Sequence, residues 1–203
     1  MNLPRVIGVT GYAQHGKDTL GDQLVLTYGY TKVAFATALK ALAITLDPCV
    51  PTAADGTLTV VPGGLQTSVI VQRLSQLVAT EGWEAAKEHP EVRRFLQVLG
   101  TEGVRAHVGE DSWVRALLRT MDYDGKYVIT DVRFPNEESA VHRHLDGLVF
   151  RVNRLNADGT PFDNGIGTDH TSEMHIADLD VDADLFASTP GELWTEFLKS
   201  VGA

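Results

Sequence analysis

A short segment near the start of the chain, Gly11-Tyr12-Ala13-Gln14-His15-Gly16-Lys17-Asp18-Thr19, has the residue types and spacing of a site for a phosphate chain. It fits G-x-x-x-x-G-K, with an acid and then a threonine where a hydroxyl residue usually follows the lysine directly. The glycines let backbone N–H groups wrap a β-phosphate. The helix that follows offers its positive N-terminal end, and Lys17, read as an exposed loop lysine, spans the β- and γ-phosphates. An apolar strand before the motif and an amphipathic helix after it are the setting such a loop needs, and they argue against a plain glycine turn with a solvated lysine. Gly11, His15, Gly16, Lys17, Asp18 and Thr19 are therefore the expected contacts of ATP, with His15 a loop residue rather than a catalyst. Asp18 and Thr19 are candidate Mg²⁺ ligands; Asp18 also reads as a first-turn acid favoured by the helix dipole.

A second acid, Asp131, ends the apolar run Tyr127-Val128-Ile129-Thr130, the place where a phosphate-loop protein keeps the carboxylate that orients Mg²⁺ and its waters. Arg133, two residues on, belongs to the same strand-end crevice, where ligands of open parallel sheets bind. Arg151 and Arg154 flank a polar loop and are candidates to close on a transferring phosphoryl group, against the alternative of surface charge. Lys17, Asp131, Arg133, Arg151 and Arg154 form the expected catalytic set, and Asp18, Thr19 and Asp131 the expected metal set. Arg93, Arg94, Gln97, Thr101, Glu102 and Arg105 share one helical stretch, which taken alone reads as a solvated face. Trp113 reads either as a ring for a base or as core beside Val114 and Leu117.

The elements that must position these groups follow from periodicity. Residues 5–10 read as a strand, 17–28 as a helix carrying Leu20, Leu24 and Val25, and 32–35 as a second strand. Leu39, Leu42, Ala43 and Leu46 keep helical spacing until Pro48 and Pro51. Residues 50–66 read as an insertion with a short hairpin about 58–61 and a turn at Pro62-Gly63-Gly64. Helical spacing returns from Ile70 through Val78, from Val92 to Leu99 and from Val114 to Met121. Residues 127–130 and 148–152 read as strands around a helix at 139–145, and Thr189-Pro190-Gly191-Glu192 opens a last helix as a capping box. Strands alternating with helices imply a three-layer α/β/α fold of the P-loop NTPase type with a mainly parallel central sheet. One domain, 1–203, is expected.

The chain has 203 residues, is 43% hydrophobic and carries a net charge of −10, which leaves no general attraction for polymeric nucleic acid. A small phosphorylated ligand is still compatible where a few arginines converge. The single cysteine, Cys49, excludes an intramolecular disulfide and a cysteine metal cluster. Without a signal sequence or an apolar run of about 20 residues, the expected place is the cytoplasm, away from membranes. Monomer and homodimer are both open.

Several blocks taken together are more specific. Gly16-Lys17-Asp18-Thr19, Arg93-Arg94 through Leu99-Gly100-Thr101-Glu102 with Arg105, Gly109-Glu110-Asp111-Ser112-Trp113, Asp131-Val132-Arg133-Phe134-Pro135-Asn136-Glu137 and Asp169-His170-Thr171-Ser172-Glu173 follow one another in a way that resembles the bacteriophage deoxynucleoside monophosphate kinases. The Leu-Gly-Thr-Glu and Asp-Val-Arg-Phe-Pro-Asn-Glu blocks carry the resemblance; the phosphate loop is shared by many NTPases. It implies ATP-dependent phosphorylation of deoxynucleoside 5′-monophosphates with Mg²⁺, in the host cytoplasm for a phage protein. It further implies a helical acceptor-binding region at about 67–121, a lid at about 155–175, and Arg94, Gln97, Thr101, Glu102, Arg105, Trp113 and Glu173 as substrate-binding residues. The alternatives are another small-molecule P-loop kinase, for dephospho-coenzyme A or phosphomevalonate, and a non-catalytic nucleotide-dependent binding protein.

Overall fold

The computed structural model describes residues 3–61, 64–163 and 174–202, with the backbone alone over 53–69. The chain forms two compact units, one from Met1–Ala36 with Trp113–Ala203 and one from Thr37–Ser112.

The first unit is built on five parallel strands, β1 (Val6–Thr10), β2 (Thr31–Val33), β5 (Tyr127–Ile129), β6 (Leu148–Arg154) and β7 (Ala183–Ala187), in the order β2-β5-β1-β6-β7. β1 lies at the centre and is buried along its whole length, as a parallel strand covered on both faces requires. Alternation divides its side chains between the faces. Ile7 and Val9 join Phe150, Val152 and Leu185 in a core with Leu20 and Leu24 of α1 (Lys17–Tyr28) and Leu193 and Phe197 of α7 (Pro190–Ser200). On the other face lies α6 (Pro135–Leu145). There Gly8 leaves room for Val149, Val132 and Val141, whose methyls would stand 3.1, 3.2 and 3.3 Å from a Cβ at that position.

Local sequence sets the helix ends. α1 stops at Gly29, which adopts φ 70° and donates its N–H to Leu24 and Val25 carbonyls. α7 starts at Pro190 with Thr189 Oγ1 accepting from Glu192 N at 3.2 Å, while the Glu192 carboxylate accepts from Ser188 N and Oγ at 2.9 and 2.7 Å. α5 (Ser112–Leu118) is a short helix that belongs to the first unit from Trp113 on.

The second unit takes most of α2 (Ala36–Leu46) and continues into an antiparallel hairpin, β3 (Cys49–Val61) and β4 (Gly64–Arg73). This hairpin is far longer than the one expected about 58–61, and the turn residues Pro62 and Gly63 lie outside the described residues. Ile70, expected in a helix, is in β4: the β-branched run Val69-Ile70-Val71 favours a strand, and its spacing to Leu74 is coincidental. α3 (Leu74–Ala86) is kinked at Gly82 (φ 79°, ψ 164°), and α4 (Pro90–Gln97) runs directly into a π-helical segment, Val98–Arg105. Gly100 allows this segment to approach α2, since a Cβ there would stand 3.0 Å from Leu39 Cδ2. Ala43, Leu74, Leu77, Val92 and Leu96 form the core of this unit. Among the described residues no helix is long and apolar enough to cross a membrane.

Phe197 has no exposed surface, meets Phe150 edge to face at 5.2 Å and stacks on Trp194 at 5.6 Å. Phe197→Ala is expected to lower unfolding free energy by about 3–5 kcal/mol. Leu26→Ala, at a residue 81% exposed, should leave it nearly unchanged. Urea denaturation of the two variants checks the difference.

Candidate active site

The glycine loop expected to hold phosphate depends on a close backbone approach. Gly11 has φ 136°, and a Cβ there would lie 2.5 Å from the carbonyl oxygen of Val152, so only glycine lets β1 turn away against the end of β6. Gly16 (φ 98°) is the N-cap of α1 and supplies no side-chain cap, which leaves the first turn of the helix facing the loop. Lys17 is not the exposed lysine expected: it is 8% exposed, and its Nζ donates to the carbonyls of Gly11 and Tyr12 at 2.6 Å each. An ammonium enclosed by its own loop takes the nearest carbonyl dipoles in place of water. His15 ties the loop down. Its Nδ1 accepts from Arg154 N at 3.3 Å and lies 3.3 Å from Val152 O, and its ring meets Tyr12 and Phe162 edge-on.

Beside the loop, Asp18 Oδ1 accepts from Lys32 Nζ and Thr130 Oγ1, both at 3.2 Å, and Lys32 also reaches Asp22 at 2.7 Å. Burial works against the Lys32 charge, but the hydrogen bonds and charges of Asp22 and Asp18 outweigh it and raise the pKa above that of an ordinary lysine. The Asp18 side chain stays 75% exposed. Thus Asp18 is oriented from behind while its carboxylate remains open to solvent next to Thr19.

Asp131 follows β5 and is tied into the fold. Its Oδ1 accepts from Phe35 N at 2.8 Å and its Oδ2 from Ala36 N at 2.9 Å, fixing the connection from β2 to α2. Arg133 donates its backbone N–H to Glu137 Oε2 at 2.8 Å, and Phe134 does so at 3.2 Å. Glu137, 3% exposed, is a structural residue that closes the Asp-Val-Arg-Phe-Pro-Asn-Glu block and had no role assigned to it from sequence. Pro135 at the first helical position and an acid two residues on were the signal for it, since together they mark a capped helix start.

The two arginines of the polar loop part company. Arg151 lies on the sheet face opposite Val152. Its Nη1 reaches the Asp184 carboxylate at 3.3 and 3.4 Å, and its Nη2 the carbonyls of Leu179 and Ala177 at 2.7 and 3.1 Å. Its side chain is 15% exposed. Arg154 is exposed, donates to Gln14 O at 3.2 Å and stacks over the Phe162 ring at 4.1 Å. With Gln14, His15, Gly16 and Thr19 it forms one wall of a cavity of about 220 Å³ whose other wall is the β7–α7 connection, Ala187 to Pro190, with Leu193. This volume suits a planar base or sugar rather than a whole nucleotide, for which pockets run to about 300 Å³ and more.

In the second unit, Arg94 is exposed at the end of α4 and pairs with Glu91 through Nε and Nη2, both at 2.9 Å. Thr101, Glu102 and Arg105 lie in the π-helical segment, immediately after Gln97, and Arg105 Nη1 donates to Glu110 O at 3.0 Å. Wide π turns are frequent at functional sites. Trp113 is 7% exposed and has the burial of a core residue. Glu173 lies outside the described residues, as do residues 164–173 of the stretch expected as a lid.

A central parallel strand that ends in a glycine loop, a helix start receiving that loop, and helices on both faces of the sheet define the P-loop kinase fold. The chain belongs to the deoxynucleotide monophosphate kinase family, whose model matches residues 57–178. The match begins beyond the phosphate loop, so the loop and the family match are separate observations. No curated protein matches the chain.

The contrast between the arginines is measurable. Arg151→Ala strands the carbonyls of Ala177 and Leu179 and leaves Asp184 with Asn153 Nδ2 as its donor, and the fold is expected to lose about 1–3 kcal/mol. Arg154→Ala should unfold with the wild-type midpoint. Parallel chemical denaturation distinguishes the two.

Proposed function

We propose that the protein transfers the γ-phosphoryl group of ATP to the 5′-phosphate of a deoxynucleoside monophosphate. The observation that carries this reading is the phosphate loop, locked by Gly11 against Val152 and opening on the start of α1, in a chain of this kinase family. The cavity between the loop and the β7–α7 connection is the place for the adenine end of ATP, with Arg154, itself stacked on Phe162, in its wall. The triphosphate then runs over the loop toward Lys17.

An acceptor phosphate oxygen is already anionic at neutral pH and attacks the γ-phosphorus in line, so no strong general base is needed. Lys17 exchanges the two loop carbonyls for phosphate oxygens, which carry full charge. Arg154, held by one carbonyl and a ring face, is free to swing toward the same charge; Arg151 serves to hold the fold. Arg133 and Asp131 border the strand-end crevice. Thr19, Asp18 and Asp131 are the residues suited to Mg²⁺, and the open, pre-oriented carboxylate of Asp18 fits such an ion. When bound, Mg²⁺ supplies neutralisation of the phosphate charge. We assign the acceptor to Arg94, Gln97, Thr101, Glu102 and Arg105, where arginine forks suit phosphate oxygens.

Coupled ADP release over the four common deoxynucleoside monophosphates, their ribose counterparts, dephospho-coenzyme A and phosphomevalonate tests the reading. Activity is expected with the deoxynucleotides, and a preference on the order of 10²-fold in kcat/KM over ribonucleotides, because a site packed against the 2′ position rejects an added hydroxyl only moderately. Turnover of the two other acceptors alone would overturn the substrate assignment, and ATP binding with no acceptor-dependent turnover would overturn the kinase. Lys17→Ala should lower kcat by about 10²-fold or more. Because Lys17 is buried, its melting temperature is measured alongside, and an intact fold with near-normal kcat removes it from the mechanism.

A further inference from the structure

Away from the phosphate loop, α6 and the segment leading into β7 bring together an unusual set of side chains. Glu138 and His142, one helical turn apart, face each other with Oε1 2.7 Å from Nδ1. The other ring nitrogen, Nε2, lies 3.0 Å from Asp182 Oδ2. Asp180 completes the group: one ligand atom from each of Glu138, His142 and Asp180 lies within 4.8 Å of the others. Unlike the other members, Asp180 has no hydrogen bond or ion pair among the described residues.

The geometry points to a binding site for a divalent transition cation of the zinc class, with Glu138, His142 Nδ1 and Asp180 as ligands and Asp182 orienting the imidazole. Three arguments lead there. An imidazole nitrogen with two carboxylates is a donor set that suits zinc-class cations and not Mg²⁺, which takes oxygen ligands and water. A histidine ligand commonly donates its second N–H to a carboxylate, which fixes the tautomer and the ring, and Asp182 stands in that position. Asp182 is itself held, since its Oδ2 accepts from Val149 N at 2.7 Å while its own N–H donates to Val149 O at 2.8 Å.

The segment carrying Asp180 is anchored on both sides. Arg151 clamps the carbonyls of Ala177 and Leu179 just before it, and the Val149 pair holds Asp182 just after it. Arg151, which has no evident part in phosphoryl transfer, thereby gains a role in presenting Asp180. The three carboxylates concentrate negative charge at one spot, which a doubly charged cation offsets. A fourth ligand position remains for water. The cation would staple α6, which follows directly on the strand end bearing Asp131 and Arg133, to the segment that enters β7.

The test uses the full chain freed of metal by a chelator and without nucleotide. Zn²⁺ is titrated by calorimetry and Co²⁺ by its visible absorption. One equivalent of each is expected to bind, with no heat from Mg²⁺ at this site. H142Q and D180N should abolish the Co²⁺ absorption, and D182N should weaken binding by about 10–100-fold. D180N guards against misfolding as an explanation, because Asp180 makes no hydrogen bond or ion pair among the described residues. No Zn²⁺ or Co²⁺ uptake by the wild type, or equal uptake by D180N and H142Q in folded protein, overturns the site.

Discussion

The contact between Gly11 and the carbonyl of Val152 governs the architecture around it. β1 is the middle strand of the sheet, and its exit must clear β6 immediately to reach the start of α1. At φ 136° and with no Cβ, Gly11 passes within a distance that any side chain would block. His15 then fastens the loop to the same stretch of β6, and the first turn of α1 faces the space the loop encloses. The pairing of β1 with β6, the packing of α1 on Val9 and Val152, and the aim of Lys17 all follow from that one approach.

Legibility from sequence followed the range of the interactions. The glycine turn after β1 and the bounds of α1 were readable because a glycine pattern and a cap glycine are local signals, and the fold class followed from alternating strand and helix periods. β7 was not anticipated: Ala183–Ala187 includes Asp184 and an exposed Phe186, and becomes a strand only by pairing with β6. The π-helical Val98–Arg105 has an α-like apolar period, and Gly100 contacting Leu39 is a tertiary event that no spacing reports.

Charged residues were the hardest to place from sequence alone. Arg151 and Arg154 look equivalent on paper, three apart beside a polar loop, yet strand alternation turns Arg151 to the face of Asp184 while Arg154, at the end of β6, reaches the phosphate loop. Asp131 similarly takes on the cap of α2 in addition to its position at a strand end. Glu137 shows the converse, a buried acid inside a recognisable block whose immediate work is to fix the backbone of Arg133 and Phe134.

The first unit is discontinuous in the chain, and this bears on how the protein is made. Val6 pairs with Tyr127 and Thr10 with Arg151, so the central strand finds both neighbours only after the whole of the Thr37–Ser112 unit has been synthesised. Such distant pairings are slow to form, because the intervening chain must be gathered before any contact rewards it. A nascent chain emerging from the ribosome therefore carries the glycine loop long before Val152 exists to brace it. The glycine loop is encoded early and completed late, so fragments released before β6 is synthesised would lack the brace that shapes it.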